Sequence, residues 1–466
     1  MSAESFKIIK PFEVSDVALV SSTVSAVDPY SKLLSNTIST SSVAAATTIT
    51  TSTPHLYTIG QNFIVTISGH TGSTPSINGE YLATSTGAST FTIPVTVTVG
   101  GTGGTMTSPA YSSGTTYVTG EIVQVDNPTF TFTANGYLFT ATNHGFGNGT
   151  MLQVSSSGTL PTGLTANTKY YMVQITLNTF KLSTQRNGTP IGTTSAGTGT
   201  HTCTVSTHIL YESLVDGNVG NTPHLNTSTT ASQYWLAISP TNRWRCMDLQ
   251  SSSQTSSIDS ATYIWQCTGV IDSIYVGNCE ADTATVTART TGGGAIVYGP
   301  TVYNLRKYVT TPYDWFYAPI ERAIEFVDID LPPYVGLQVE VTLTKTGGTV
   351  KAGTILMGLS QLFGVTNAGA SFGMHDFSIK TANEFGIQTF TERTYARTSS
   401  VQITLDNTNI DSVYTALIGR RATPMVFVIT TLYPSAAILF GKFNSFTIAV
   451  PYATTSVCSI EVESLT

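Results

Sequence analysis

Charge is what this sequence has least of. Asp, Glu, Lys and Arg make up 10% of its 466 residues, against roughly 25% in ordinary soluble domains. No basic stripe is present and the net charge is −7, which argues against nucleic acid as a partner. The five cysteines, Cys203, Cys246, Cys267, Cys279 and Cys458, lie too far apart for a CxxC pair. An odd, scattered set predicts reduced thiols in a protein made in the cytoplasm, with neither a disulfide framework nor a zinc site. No apolar run approaches the roughly 20 residues that cross a bilayer, so no membrane span is expected. Met1 to Phe12 mixes Lys and Glu without the apolar core of a secretory signal, and a soluble product not exported by that route is expected. Without a Gly-rich phosphate loop carrying Lys, or zinc-type spacing, no cofactor and no metal are expected.

Ser, Thr and Gly fill the deficit while apolar residues stay at 41%. That is too much buriable material for a disordered chain. The pattern predicts an all-β protein whose strand faces carry Thr and Ser or are covered by neighbouring subunits. A repeat organises the first half. Thr53 to Ile93 reappears without a gap at Thr142 to Leu182, at one offset that carries His55 onto His144, Gly60 onto Gly149, Asn78 onto Asn167, Tyr81 onto Tyr170 and Phe91 onto Phe180. Tyr57 becomes Phe146, keeping the ring. Turn residues and buried-type aromatics repeat, and no catalytic set does, so duplication multiplies a module more readily than it builds a pocket.

Six segments follow, at a length that suggests about three or four domains. Residues 1–52 open on the strand-like run Phe6 to Phe12 and pass into the Ser/Thr/Ala tract Ser35 to Thr53, expected as an arm or linker that drapes over a neighbour. Residues 53–107 form the first repeat module, with strands at Phe63 to Ile67 and Phe91 to Val99, where Pro94 marks an edge or bulge. Residues 108–128 read as a hairpin connector and 129–207 as the second module. From 208 to 360, short strands at sandwich spacing (Ala261 to Cys267, Ser273 to Val276, Ala284 to Ala288, Gln338 to Thr344) predict a jelly-roll β-sandwich. Residues 361–466 are a β-rich assembly domain with one short helix, where Ile410, Val413, Leu417 and Ile418 share a face. Asn409 would cap its start, Arg420 and Arg421 suit its C-terminal dipole end, and Pro424 stops it.

Candidate chemistry is thin. Gly369-Ala370-Ser371-Phe372-Gly373 fits the nucleophile-elbow pattern, but the elbow needs a strand before the serine, a helix after it and a more distant histidine. His375 is the only later histidine and stands four residues on, so no enzyme is expected. His55 and His144 lack the neighbours that metal ligation requires, and read as rings satisfying backbone carbonyls. Alternation would place Asp328 and Asp330 on one face, near Glu321 and Glu325; a solvated or intersubunit face outweighs calcium or acid–base work. Trp235, Trp244, Trp265 and Trp315 offer either sandwich core or a sugar-stacking platform. Arg420 and Arg421 are candidates for a contact with an acidic neighbouring subunit.

Specific strings then add a resemblance. Gly158-Thr159-Leu160-Pro161-Thr162-Gly163-Leu164, Asn178-Thr179-Phe180-Lys181-Leu182-Ser183 and Ser195-Ala196-Gly197-Thr198-Gly199-Thr200 resemble the small β modules of tailed-bacteriophage virion proteins. Tyr211-Glu212-Ser213-Leu214-Val215-Asp216-Gly217-Asn218 with Pro240-Thr241-Asn242-Arg243-Trp244 is similar to a family of phage tail-associated proteins, and the segment from Trp235 to Gly358 resembles galactose-binding-like jelly rolls. The resemblance implies a non-enzymatic structural component of a phage tail (sheath, adaptor or fibre-attachment type), assembled in the host cytoplasm into the virion in several symmetric copies. Its partners would be copies of itself and other tail proteins. The alternative it implies is a receptor-binding adhesin whose jelly roll grips a host surface glycan through Trp235, Trp244 and Trp265.

Overall fold

The computed structural model describes residues 5–12, 18–226, 233–250, 252–306, 311–317, 321–382, 384–385, 388–421, 423–431 and 433–465. Strands account for 53% of the chain and helix for 6%, so the protein is all-β. Contacts divide it into two compact units, Ser25–Trp244 and Met1–Val24 with Arg245–Thr466.

The Ser25–Trp244 unit contains the duplication as two closed six-stranded barrels. The first is formed by Leu34–Ser41, Thr47–Thr51, Asn62–Ser68, Gly79–Gly87, Thr90–Ile93 and Thr105–Ser108. The second is formed by Thr129–Asn135, Leu138–Thr140, Met151–Ser156, Tyr170–Val173, Thr179–Ser183 and His201–Val205, joined in the same order. Equivalent positions fill both interiors: Phe63 and Leu152, Val65 and Val154, Phe91 and Phe180, Ile93 and Leu182. Closure removes the unpaired edges that Thr-rich strands would otherwise expose.

The barrels correct one boundary. The tract Ser35 to Thr53, expected as an arm or linker, supplies the first two strands of the first barrel. Its alternation is hidden because the buried positions are Thr as often as Ile: Thr47–Thr51 alternates buried and half-buried. The Thr47 hydroxyl donates to the Val95 carbonyl at 2.7 Å, and that of Thr51 to the Thr53 carbonyl at 2.7 Å, so these polar groups go inside without a lost hydrogen bond. Ile49 lies opposite Phe91, and Phe139 lies opposite Phe180. These equivalents sit one residue off the repeat's offset, so the gapless match stops short of the barrel's start.

The segment 108–128, expected as a hairpin, instead gives one strand, Ile122–Asp126, to a three-stranded sheet with His208–Ser213 and Trp235–Pro240. Tyr111, Tyr117, Val123, Tyr211 and Trp235 form its core. Asp126 and His208 are register partners, so the whole second barrel is an insertion whose two ends meet at one rung. Residues 208–240 therefore belong here, and the sandwich starts near Arg245 rather than 208.

In the other unit, the strand Gln338–Thr366 pairs with Thr255–Gln266, Ser273–Glu280 and Thr283–Arg289 along its first part and with Ser5–Pro11 along its last. The β-sandwich core gathers Tyr263, Trp265, Ile274, Val276, Val339, Val341 and Met357. A second core holds Phe6, Ile8, Phe363, Ile403, Leu417, Phe427 and Ile460. Ser5–Pro11 lies between Gln338–Thr366 and Met425–Val428 with Ile8 and Ile9, on opposite faces, both fully buried. The expected N-terminal arm is thus a central strand of its own chain, covered on both faces at Ile8 and Ile9 while Lys7 stays half-buried and Lys10 exposed. The expected helix forms at Ile410–Gly419 and buries Val413 and Leu417, while Ile418 stays exposed. Asn409 makes no side-chain cap. Asp406 instead accepts from the Thr408 amide at 2.9 Å and starts the 3₁₀ turn before it. Two shorter helices, Pro312–Tyr317 and Pro434–Ala437, were not expected.

Candidate functional site

Ser371 opens the strand Ser371–Asp376, which runs straight on instead of turning into a helix, and His375 packs against Phe377 at 4.6 Å. No elbow forms there. His55 Nε2 meets the Thr90 carbonyl at 3.1 Å, and Nδ1 accepts the Tyr57 amide at 3.2 Å. His144 repeats the second bond, with Phe146, at 3.2 Å. No group of three metal-ligating side chains occurs among the described residues. Asp328 is buried and accepts from the Tyr298 hydroxyl at 2.9 Å, whereas Asp330 is exposed, so the pair shares no open face. All five cysteines are buried. Burial pushes the Cys246 and Cys458 thiols up to about 11 and those of Cys267 and Cys279 to about 12, which keeps them unreactive.

Two of the tryptophans are interior. Trp235 is 0% exposed in the three-stranded sheet's core, its indole N–H donating to the Asn221 carbonyl at 2.7 Å. Trp265 is 0% exposed in the sandwich core, stacked on Tyr263 at 5.2 Å. Trp244 lies flat on His208, ring centroids 4.2 Å apart. The side chain of Trp315 is outside the described residues. The two arginines also part: Arg420 turns back to donate to Gln361 and covers the Phe363 ring, while Arg421 is exposed.

What the sequence reading missed is a β-ribbon. Ser371–Asp376 pairs with the start of Tyr395–Asp406, and beyond that pairing Ile379–Ala382 and Gln388–Thr391 form a further two-stranded ladder. Every residue of Ser371–Asp376, Ile379–Ala382 and Gln388–Thr391 is exposed. Met374 (68%), Phe385 (87%) and Phe390 (71%) are among the most exposed large apolar residues of the chain. Alternation in Phe372 and Met374 signals a strand, but no pattern in the sequence says that both faces lack cover.

The ribbon's root is anchored by a charge pair between half-buried Arg397 and buried Glu325. Arg397, opposite Met374 in register, forks onto Glu325, with Nη2 to Oε2 at 3.0 Å and Nη1 bonded to Oε1. Nη1 also donates to the Ser435 carbonyl at 2.8 Å, and the Tyr275 hydroxyl donates to Glu325 Oε2 at 2.7 Å. A bidentate guanidinium–carboxylate pair fixes orientation as well as distance, so it holds the start of Tyr395–Asp406 at the ribbon's root. Burial, reinforced by the Glu325 charge, holds the Tyr275 hydroxyl well above its usual range. The arrangement can position a strand. No protein-family model and no curated protein sequence matches this chain.

Proposed function

We propose that the protein is a structural subunit of a phage tail, present in several symmetric copies, with the ribbon as a contact to a neighbouring copy. The observation that carries this reading is the exposed ribbon held at its root by the Arg397–Glu325 pair. An isolated two-stranded ladder is only marginally stable in water, and its unpaired edges and bare Phe side chains gain most when a neighbour's strand or apolar surface covers them. The low charge of the chain fits surfaces that meet over large uncharged areas. Localisation in the virion and contacts with other tail proteins belong to the same proposal. No helix among the described residues is long and apolar enough to cross a membrane. Arg421 remains the only one of the two arginines open to an acidic neighbour. The adhesin reading based on the jelly roll keeps only Trp244 of its three residues, because Trp235 and Trp265 are interior.

The register of the ribbon's root defines the test. Asp376 and Tyr395 are partners, so residues 377–394 can be replaced by Asn-Gly, a two-residue turn that closes such a hairpin. The expected result is a folded chain that light scattering finds monomeric and that no longer enters particles, as scored by antibody labelling in negative stain. Unchanged oligomerisation and incorporation would discard the ribbon as the contact.

A further inference from the structure

Asn-Gly pairs occur at Asn78, Asn135, Asn148 and Asn187, all within the Ser25–Trp244 unit. Glycine, with no Cβ, least obstructs the attack of its own nitrogen on the preceding asparagine side chain. All of these asparagines are exposed, so access to water does not separate them. Hydrogen bonding does. The Asn78 amide is gripped at both ends by His70, Oδ1 accepting from the His70 N–H at 2.9 Å and Nδ2 donating to the His70 carbonyl at 2.9 Å. The Gly149 nitrogen donates to the Met172 carbonyl at 2.8 Å, and the Gly188 nitrogen to the Gln185 carbonyl at 3.0 Å. A gripped side chain cannot swing onto the backbone, and an N–H that is already donating gives up its proton less readily.

Asn135-Gly136 lacks both restraints. Asn135 ends the strand Thr129–Asn135 and faces Leu138 on the last rung of the ladder with Leu138–Thr140, so Gly136 and Tyr137 make the turn. Among the described residues, neither the Asn135 side chain nor the Gly136 nitrogen has a hydrogen-bond partner. Only the Gly136 carbonyl is held, accepting from the Thr193 amide at 3.2 Å and from the Thr193 hydroxyl. Gly136 sits at φ +61°, with nothing within 4 Å of where a Cβ would stand. The structure assigns Asn135 as the chain's foremost site of spontaneous deamidation. The Gly136 nitrogen, its proton taken by hydroxide, bonds to Asn135 Cγ, and Nδ2 leaves as ammonia. Water then opens the cyclic imide at either carbonyl, to aspartate or isoaspartate, with no change of oxidation state. The isoaspartate product routes the main chain through the side-chain methylene at the Asn135–Leu138 rung. Either product places a carboxylate on a barrel whose span from Thr129 to Val205 contains no Asp or Glu.

The test is peptide mapping by mass spectrometry of the folded full chain held at mildly alkaline pH, with an isoaspartate methyltransferase marking the isomer. Asn135 should convert several-fold faster than Asn78, Asn148 and Asn187, and faster at alkaline than at mildly acidic pH, because hydroxide takes the proton. The same chain unfolded in urea should convert all of them at similar rates, since the bonds that restrain the others are gone. Asn135→Gln, whose longer side chain closes a ring less readily, should remove most of the methyltransferase labelling from the folded chain. Equal or faster conversion at another of the pairs in the folded chain, or an intact Asn135 under conditions that convert the unfolded chain, overturns the assignment. So does a lead for Asn135 that persists unchanged in urea, or labelling that survives Asn135→Gln. None of these outcomes bears on the ribbon, whose test reads oligomerisation.

Discussion

Arg397 and Glu325 show how one pair can decide a local geometry. Removing the arginine leaves a buried carboxylate with only the Tyr275 hydroxyl and no cation, a defect worth about 3–5 kcal/mol. Arg397→Met should therefore lower the urea midpoint strongly, and adding Glu325→Leu should recover much of the loss, because the pair's desolvation then disappears with it. A second substitution no more stable than the first would show that the anchor is not the pair. Acidity separates two further residues. His224 is neutral in both states above its ordinary value of 6.5. Between there and about 4 the unfolded chain takes up a proton that the buried ring refuses, so stability falls as pH falls through that window. His224→Gln should flatten this part of a stability–pH curve. Asp282 behaves oppositely in cause but not in sign. The Arg306 guanidinium, bonded to it against its burial and joined by Arg322 at 2.8 Å, holds it down to about 2. Its contribution is present above its ordinary 3.8 and is lost from there to about 2, so Asp282→Asn should change only the lower window.

Elements carry the larger corrections. Ser5–Pro11 was legible as a strand, since Phe6, Ile8 and Ile9 cannot all be left in water, but its partners lie more than three hundred residues away. Deleting residues 1–12 should expose two sheet edges and yield aggregated protein; a soluble, cooperatively melting product would contradict the central placement. The helix Ile410–Gly419 was legible in its span because its apolar spacing is local, but not in its Asp406 start or in the exposure of Ile418. Leu417→Ala should cost about 2–5 kcal/mol, readable by denaturant melting, whereas Ile418→Ala on the exposed side should cost little. The ribbon was legible only as strands. Exposure on both faces depends on what the remainder of the chain leaves uncovered, and no local pattern encodes that.

At the scale of the whole molecule, the duplication is the organising fact. The second barrel enters and leaves through the Asp126–His208 rung, so replacing residues 127–207 by Asn-Gly should leave the rest of the chain folded, checked by a retained cooperative melt. A deletion of residues 53–106 instead cuts the first barrel between its second and third strands, stranding Leu34–Ser41 and Thr47–Thr51, and should precipitate. Composition and spacing by themselves determined that the protein is all-β, that a module occurs twice, and that one short helix sits near the C-terminus. These follow from residue-to-residue periodicity, which needs no knowledge of distant partners. Tertiary structure alone decided that the Thr-rich tract closes a barrel, that the first strand is central, that Trp235 and Trp265 are core, and that a ribbon stands bare. Each of these is set by pairing between remote segments, and hydrogen bonding and burial across such distances leave no mark on a single stretch of sequence.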